Sequence, residues 1–295
     1  MTVAPKQTSA ILDYQRVDPE ARLGLPSGRY TTPHMLTAFA GGIFLMVILY
    51  SVGLMVREKG PWFEYAWKLL AGYQGMPFVM MVLSCWSASF LILKSLKITA
   101  QRKALRLELL PKDPGFVITA ATSIKVIQMI EASVEQARRF LYLNRIIISL
   151  RSMRNVGRVA DVDDMLYVAA SNDQSILESG YTLLKGFIWA IPVLGFIGTV
   201  IGLTQAMGNF NLALAPVASG TGNQDVQSIS KALVQVLSGL DTAFVTTAEA
   251  LILVFVIHLA HVFVRNADEA LLDDAREEAH NQIGARVRIE PTGVV

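Results

Sequence analysis

"VTTAEALILVFVIHLAHVF", residues 245–263, is almost wholly apolar and helix-prone, with one acid inside it, Glu249. About 20 such residues are what a helix needs to cross the hydrocarbon core of a bilayer. Three further runs of this kind lie upstream, so the candidate spans are 35–56, 71–93, 186–208 and 242–264. The first three carry no charge, and the fourth carries only Glu249. The chain has 295 residues, 53% of them hydrophobic and 17% charged, which is the balance of a membrane protein rather than of a water-soluble domain. Span one begins after 34 mostly polar residues, too deep for a cleavable signal peptide. The single cysteine, Cys85, falls within span two and allows no intrachain disulfide or cysteine metal cluster.

Lys and Arg set the orientation. Residues 94–185 hold 14 of the 26, residues 57–76 hold three and residues 209–230 hold none. Basic connections stay in the cytoplasm. That predicts a cytoplasmic arm at 1–34, an outer interfacial connection at 57–70 and a cytoplasmic helical region at 94–185. An outer loop and start of helix follow at 209–241, and a cytoplasmic tail at 265–295. The expected fold is an all-α membrane protein of four transmembrane helices, the last two extended into a cytoplasmic helical bundle, with both termini cytoplasmic.

The arm reads as loosely ordered or as a short surface helix. Trp62, Tyr65, Trp67 and Tyr73, in the stretch 57–77 that runs from the outer connection into the start of span two, suit a helix at headgroup level. Ile127, Ile130, Val134, Ala137, Leu141 and Ile148 predict one amphipathic helix, and 161–186 a second, opening on Asp161, Asp163 and Asp164. Leu272, Ala275, Ala279 and Ile283 extend an apolar stripe beyond span four. The basic residues of this region fit the lipid surface, and nucleic acid is not expected.

Chemistry concentrates in the last two spans. Pro192 removes a backbone donor and loosens the helix near Ile188, and Gly195, Gly198 and Gly202 leave a face that another helix can approach closely. Thr199 lies mid-span. Thr242, Thr246 and Glu249 fall at i, i+4 and i+7 on one helical stripe, a line of hydroxyls leading to a carboxyl group. A charged Glu facing lipid costs at least roughly 2.5–3.5 kcal/mol, so an inward placement is expected, where a desolvated carboxyl is able to take up a proton. Three roles stay open for it: a group in the ion path, a strut paired with a Lys, Arg or hydroxyl of another helix, or a wet carboxylate near the outer interface. His258 and His261 sit one turn apart without a third ligand, so no metal is expected. The "GTG" at 220–222 lacks the lysine and helix of a phosphate loop. No set of catalytic groups or inverted repeats supports an enzyme or a solute transporter. No cofactor is expected.

"IWAIPVLGFIGTVIG" (188–202), followed by "GLDTAFVTTAEAL" (239–251) and preceded by "YTLLKG" (181–186), resembles the MotA/TolQ/ExbB family of ion-channel subunits. The resemblance covers roughly residues 140–265, and residues 1–96 share only the layout. It implies a pentameric ring in a bacterial inner membrane around two copies of a single-span MotB/TolR/ExbD-like partner, whose intramembrane aspartate takes up and releases the translocated proton, or sodium ion. Ring and partner turn against each other and drive a load. Thr199 and Thr247 match the threonines that line the family's path, Pro192 allows bending, and Gly195, Gly198 and Gly202 set close packing. The sequence departs from the pattern at Glu249, where relatives usually have an apolar or small residue, and at Thr242, where the ExbB branch tends to place a glutamate. The alternative is a non-conducting membrane scaffold that anchors a partner complex. The load, whether flagellar rotation, gliding, outer-membrane energisation, secretion or defence, is set by the partner and by the cytoplasmic portion.

Overall fold

The computed structural model describes residues 12–61, 63–64, 67, 75–107, 118–152, 159–218 and 226–283. Trp62, Tyr65, Tyr73, the "GTG" of the outer loop, and Arg286 and Arg288 of the tail lie outside these residues. In chain order the elements are β1 (Leu12–Asp13), α1 (Tyr14–Val17), α2 (Pro19–Arg22), α3 (Met35–Val56) and α4 (Met76–Leu105). They continue with α5 (Ala120–Ser133), β2 (Val134–Glu135), α6 (Leu141–Ser152), α7 (Val159–Gly180), α8 (Thr182–Ala218) and α9 (Val226–Gln282). Four of these helices, α3, α4, α8 and α9, are long and apolar enough to cross a membrane. The protein is therefore an all-α membrane protein, its only sheet the parallel pair β1 and β2 among the described residues. Span two as well as spans three and four runs on past its apolar stretch.

The chain forms two compact units. The first comprises Met1–Thr37, Leu91–Thr182 and Val262–Val295. Its core gathers Tyr14, Ile130, Phe140, Leu143, Ile147 and Leu150 with Ala275, Ala279 and Ile283, the stripe expected beyond span four. Each large apolar side chain buried there contributes about 1.5–3 kcal/mol.

The structure differs from the sequence expectation at two places in this unit. The single amphipathic helix through Ile127 and Ile148 is broken after Ser133. Val134 and Glu135 pair instead with Leu12 and Asp13, and Gln136 takes a left-handed conformation with φ 56°. A short 3-10 turn, Ala137–Arg139, then redirects the chain into α6. The break lets α5 and α6 face one core, while Ile148 is left exposed. At its start α5 is fixed by a capping box, the Thr119 and Thr122 side chains each satisfying the other's backbone N–H.

The second difference is the N-terminal arm, which from residue 12 onward is built into the unit. Asp18, Glu20, Thr31 and Thr37 are buried. They surround Lys94 and Lys97, one turn apart on α4 and both fully buried. Lys97 Nζ lies 3.2 Å from Asp18 Oδ1 and 2.8 Å from Glu20 Oε2, and donates to Ser27 Oγ at 2.9 Å. Glu20 also accepts the Gly28 and His34 backbone N–H groups and the Thr37 hydroxyl. Lys94 Nζ lies 2.8 Å from Asp268 Oδ2 of α9 and 4.3 Å from the centre of the Tyr181 ring, whose hydroxyl donates to the same oxygen at 3.1 Å. Charges that composition assigns to a basic surface are thus interior ties, stable only because each has an opposite charge and hydrogen bonds.

The second unit, Ala38–Phe90 and Leu183–His261, holds the apolar parts of the spans. Spans one and two meet at Gly42, where a Cβ atom would fall 2.7 Å from the Trp86 backbone. Trp86 itself lies against Phe39 and Phe187, both with ring centroids at 4.8 Å. In the outer connection Trp67 packs edge-on against Tyr50 at 5.6 Å. Phe44, Met55, Trp189, Phe196, Phe244 and Phe255 are exposed, a placement that water disfavours and lipid or a partner helix accepts.

Candidate functional site: the contact between spans three and four

Small residues decide how α8 and α9 meet. A Cβ at Gly198 would fall 2.8 Å from Thr246 Oγ1, and one at Gly202 would fall 2.8 Å from Ala243 N and Gly239 O. At Gly195 it would collide with the Ala250 methyl, and at Gly239 it would come within 2.8 Å of the Ala206 methyl. Distances under 3.0 Å to backbone cannot be relieved by a rotamer change, so the two helices approach closely only because these positions lack side chains. The sequence indicates the glycines of α8. The matching set on α9, Gly239, Ala243, Thr246 and Ala250, was missed, although its spacing of four, three and four residues was there to be read.

Thr199 and Thr247 come together in this contact. Their hydroxyls share a short hydrogen bond across the two helices. Thr199 Oγ1 also lies 3.2 Å from both Gly195 O and Ala243 O, and Thr247 Oγ1 lies 3.4 Å from the same two carbonyls. A pair of half-buried hydroxyls with four acceptor contacts can reverse its donor direction without moving heavy atoms, which is what a proton or hydrogen-bond relay requires.

The expected line from Thr242 through Thr246 to Glu249 is not joined by hydrogen bonds. Thr242 donates back to Ser238 O at 3.0 Å, and Thr246 to Ala243 O at 3.0 Å. Both follow the ordinary habit of hydroxyls in helices. Glu249 is buried, 3% exposed, and neither carboxylate oxygen has a hydrogen-bond partner among the described residues. No Lys or Arg pairs with it there. At about 100° per residue, Thr247 and Glu249 project roughly 200° apart, to opposite sides of α9. The carboxyl group is thus turned into its own unit and away from the threonine pair.

Pro192 sits within α8, which continues unbroken from Thr182 to Ala218 and leaves Ile188 O without its usual helical donor. Asp241 is exposed. His258 and His261 have ring centroids 6.2 Å apart, and no cluster able to hold a metal ion occurs among the described residues.

These features define a multi-pass membrane protein whose last two spans close on each other through small residues around a hydroxyl pair. Residues 142–277 match the model of the MotA/TolQ/ExbB proton channel family. The family is one of proton-channel-type subunits that act in energy-transducing complexes with partner proteins. The match takes in α6, α7, α8 and most of α9, while spans one and two precede it. No curated protein and no solved structure matches the chain.

Proposed function

We propose that this protein is a proton-conducting ring subunit that converts an ion gradient into mechanical work. The observation that carries the reading is the shared hydrogen bond between Thr199 and Thr247, at the glycine-packed contact of the two helices that lie inside the family match. In this reading five copies surround two copies of a single-span MotB/TolR/ExbD-like partner in a bacterial inner membrane, with both termini in the cytoplasm. The partner's intramembrane carboxylate loads and unloads the proton, with sodium as the alternative ion. The threonine pair offers it a hydroxyl dipole on the ring side. Pro192 lets α8 flex as ring and partner turn. One proton falling through about 100 mV yields roughly 2.3 kcal/mol, enough to repack a few side chains per step.

Glu249 enters as a second protonatable group on the opposite side of α9. A buried carboxyl without a donor is costly in its charged form, so its proton occupancy is coupled to how wet its surroundings are. Partner-containing proteoliposomes carrying Thr199→Val with Thr247→Val test the main reading, with proton flux and work output as the readouts. Loss of flux with intact assembly is expected. Unchanged flux and work output after these changes and after Glu249→Gln would remove the channel reading and leave the scaffold.

A further inference from the structure

The first unit holds a cleft that the channel reading does not use. Ser27, Arg29, Tyr30, Arg138, Arg139 and Asn144 surround a cavity of about 290 Å³ with no carboxylate in its lining. Arg29 and Arg139 make no ion pair among the described residues; they lie instead over the Tyr30 and Tyr14 rings, at 4.9 Å and 5.3 Å from the ring centres. Arg138 lies 3.3 Å from Glu131, which it shares with Arg151 at 3.6 Å. Arg29 donates to the Tyr30 hydroxyl at 3.3 Å and feels the Asp173 carboxylate of the adjoining cavity without pairing to it, so the three guanidiniums together have one shared ion-pair partner among the described residues, Glu131, and keep donors free for an anion.

Beside this cleft, and sharing Arg29, Tyr30 and Asn144 with it, lies a second cavity of about 590 Å³. Ile148, Met165, Val168 and Ala169 give it an apolar wall, Asp164 and the Arg145–Asp173 ion pair line it as well, and Val168 and Ile148 are 66% and 48% exposed. That volume falls in the range of small-ligand sites. The shared wall is rigidly made. Tyr30 is buried at a left-handed φ of 52°, and Asn144 Nδ2 donates to its hydroxyl at 2.7 Å. The other non-glycine residue of positive φ among the described residues, Gln136, precedes the turn that presents Arg138 and Arg139. Strained residues held by their surroundings gather where a surface is shaped for binding.

We propose that this composite cleft binds an anionic amphiphile, with a phosphate or carboxylate head among Arg29, Arg138 and Arg139 and an apolar body against Met165 and Val168. Arg29 lies six residues before Met35, where span one begins, so a lipid headgroup and a soluble acyl or alkyl phosphate are both within its chemistry.

The test uses the full-length protein in nanodiscs of zwitterionic lipid, titrated with hexyl phosphate and, separately, with inorganic phosphate. Saturable hexyl phosphate binding is expected, about tenfold or more tighter than inorganic phosphate. Arg29→Gln with Arg138→Gln, both at surface positions, weakens both probes about tenfold, the weight of one charge-assisted hydrogen bond. Val168→Asp abolishes the preference for the alkylated probe. Repeating the titration in discs containing phosphatidylglycerol identifies the source: competition assigns the cleft to lipid headgroups, and unchanged affinity assigns it to a soluble anion. No saturable binding of hexyl phosphate, affinity undiminished in the double variant, or equal affinity for the two probes overturns the proposal.

Discussion

Asp268 and Glu249 are both buried carboxyl groups on α9, 19 residues apart, and their surroundings are opposite. Asp268 receives Lys94, the Tyr181 hydroxyl and the Thr31 hydroxyl on one oxygen. Glu249 receives no hydrogen bond on either oxygen among the described residues. Asp268 Oδ1 has no hydrogen-bond partner among the described residues, but a buried charge held by an opposite charge and two hydroxyls on its other oxygen still serves as a tie between segments, because removing Lys94 or Asp268 strands the other's charge. An acid without partners contributes nothing of that kind and persists at a cost in stability, which is the pattern of a group kept for function.

The largest expected effect tests the tie. Asp268→Ala leaves Lys94 charged and unpaired in the interior and should lower unfolding stability by about 3–5 kcal/mol. Asp268→Leu combined with Lys94→Met should recover most of that loss in denaturant titrations in detergent. If the single change is harmless, the contrast between the two carboxyls fails.

Next comes the helix contact. Gly202→Val places a branched side chain where even a Cβ would fall 2.8 Å from two backbone atoms. A loss of about 1–3 kcal/mol or more is expected from such overpacking, read as reduced thermal stability and loss of the Thr199–Thr247 proximity in a cysteine cross-linking assay.

A smaller effect of opposite sign is expected at the second carboxyl. Glu249→Gln and Glu249→Leu should leave stability unchanged or raise it slightly, since no partner is lost and a desolvated acid is removed. The same variants should abolish or retune proton flux. Destabilisation comparable to that of Asp268→Ala would mean that Glu249 is a strut after all.

The smallest effect concerns the hydroxyl pair. Thr199→Val and Thr247→Val should each cost about 0.5–1.5 kcal/mol, and the double variant less than their sum, because the two share one hydrogen bond. Strict additivity in that cycle would separate the two hydroxyls.

How far the sequence carries varies with the kind of signal. Spans of apolar residues are legible because the bilayer demands a fixed length of them, and four helices long and apolar enough to cross it, α3, α4, α8 and α9, fall on the four expected runs, α4 starting at Met76 within the run expected from 71. Gly195, Gly198 and Gly202 stand out in the sequence because the absence of a side chain is local information, and in the structure a Cβ at each would fall against α9. The stripe of Thr242, Thr246 and Glu249 shares a face by periodicity, yet the hydroxyls bond to their own helix, and periodicity says nothing about donors. The break at Val134 was illegible for another reason: its apolar spacing is helical, and only pairing with residues about 120 positions earlier converts it to a strand.

Composition and residue size by themselves determined a membrane protein of four spans and a small-residue face along α8, because hydrophobic length and side-chain size act within one segment; Thr199 and Thr247 were marked only by the resemblance to the family. Tertiary structure alone decided that Thr199 meets Thr247, that Lys94 and Lys97 turn inward to Asp268, Asp18 and Glu20, and that Glu249 accepts no hydrogen bond among the described residues. Those outcomes depend on which distant groups share a low-dielectric space, and charge neutralisation and hydrogen bonding there are properties of the assembled fold.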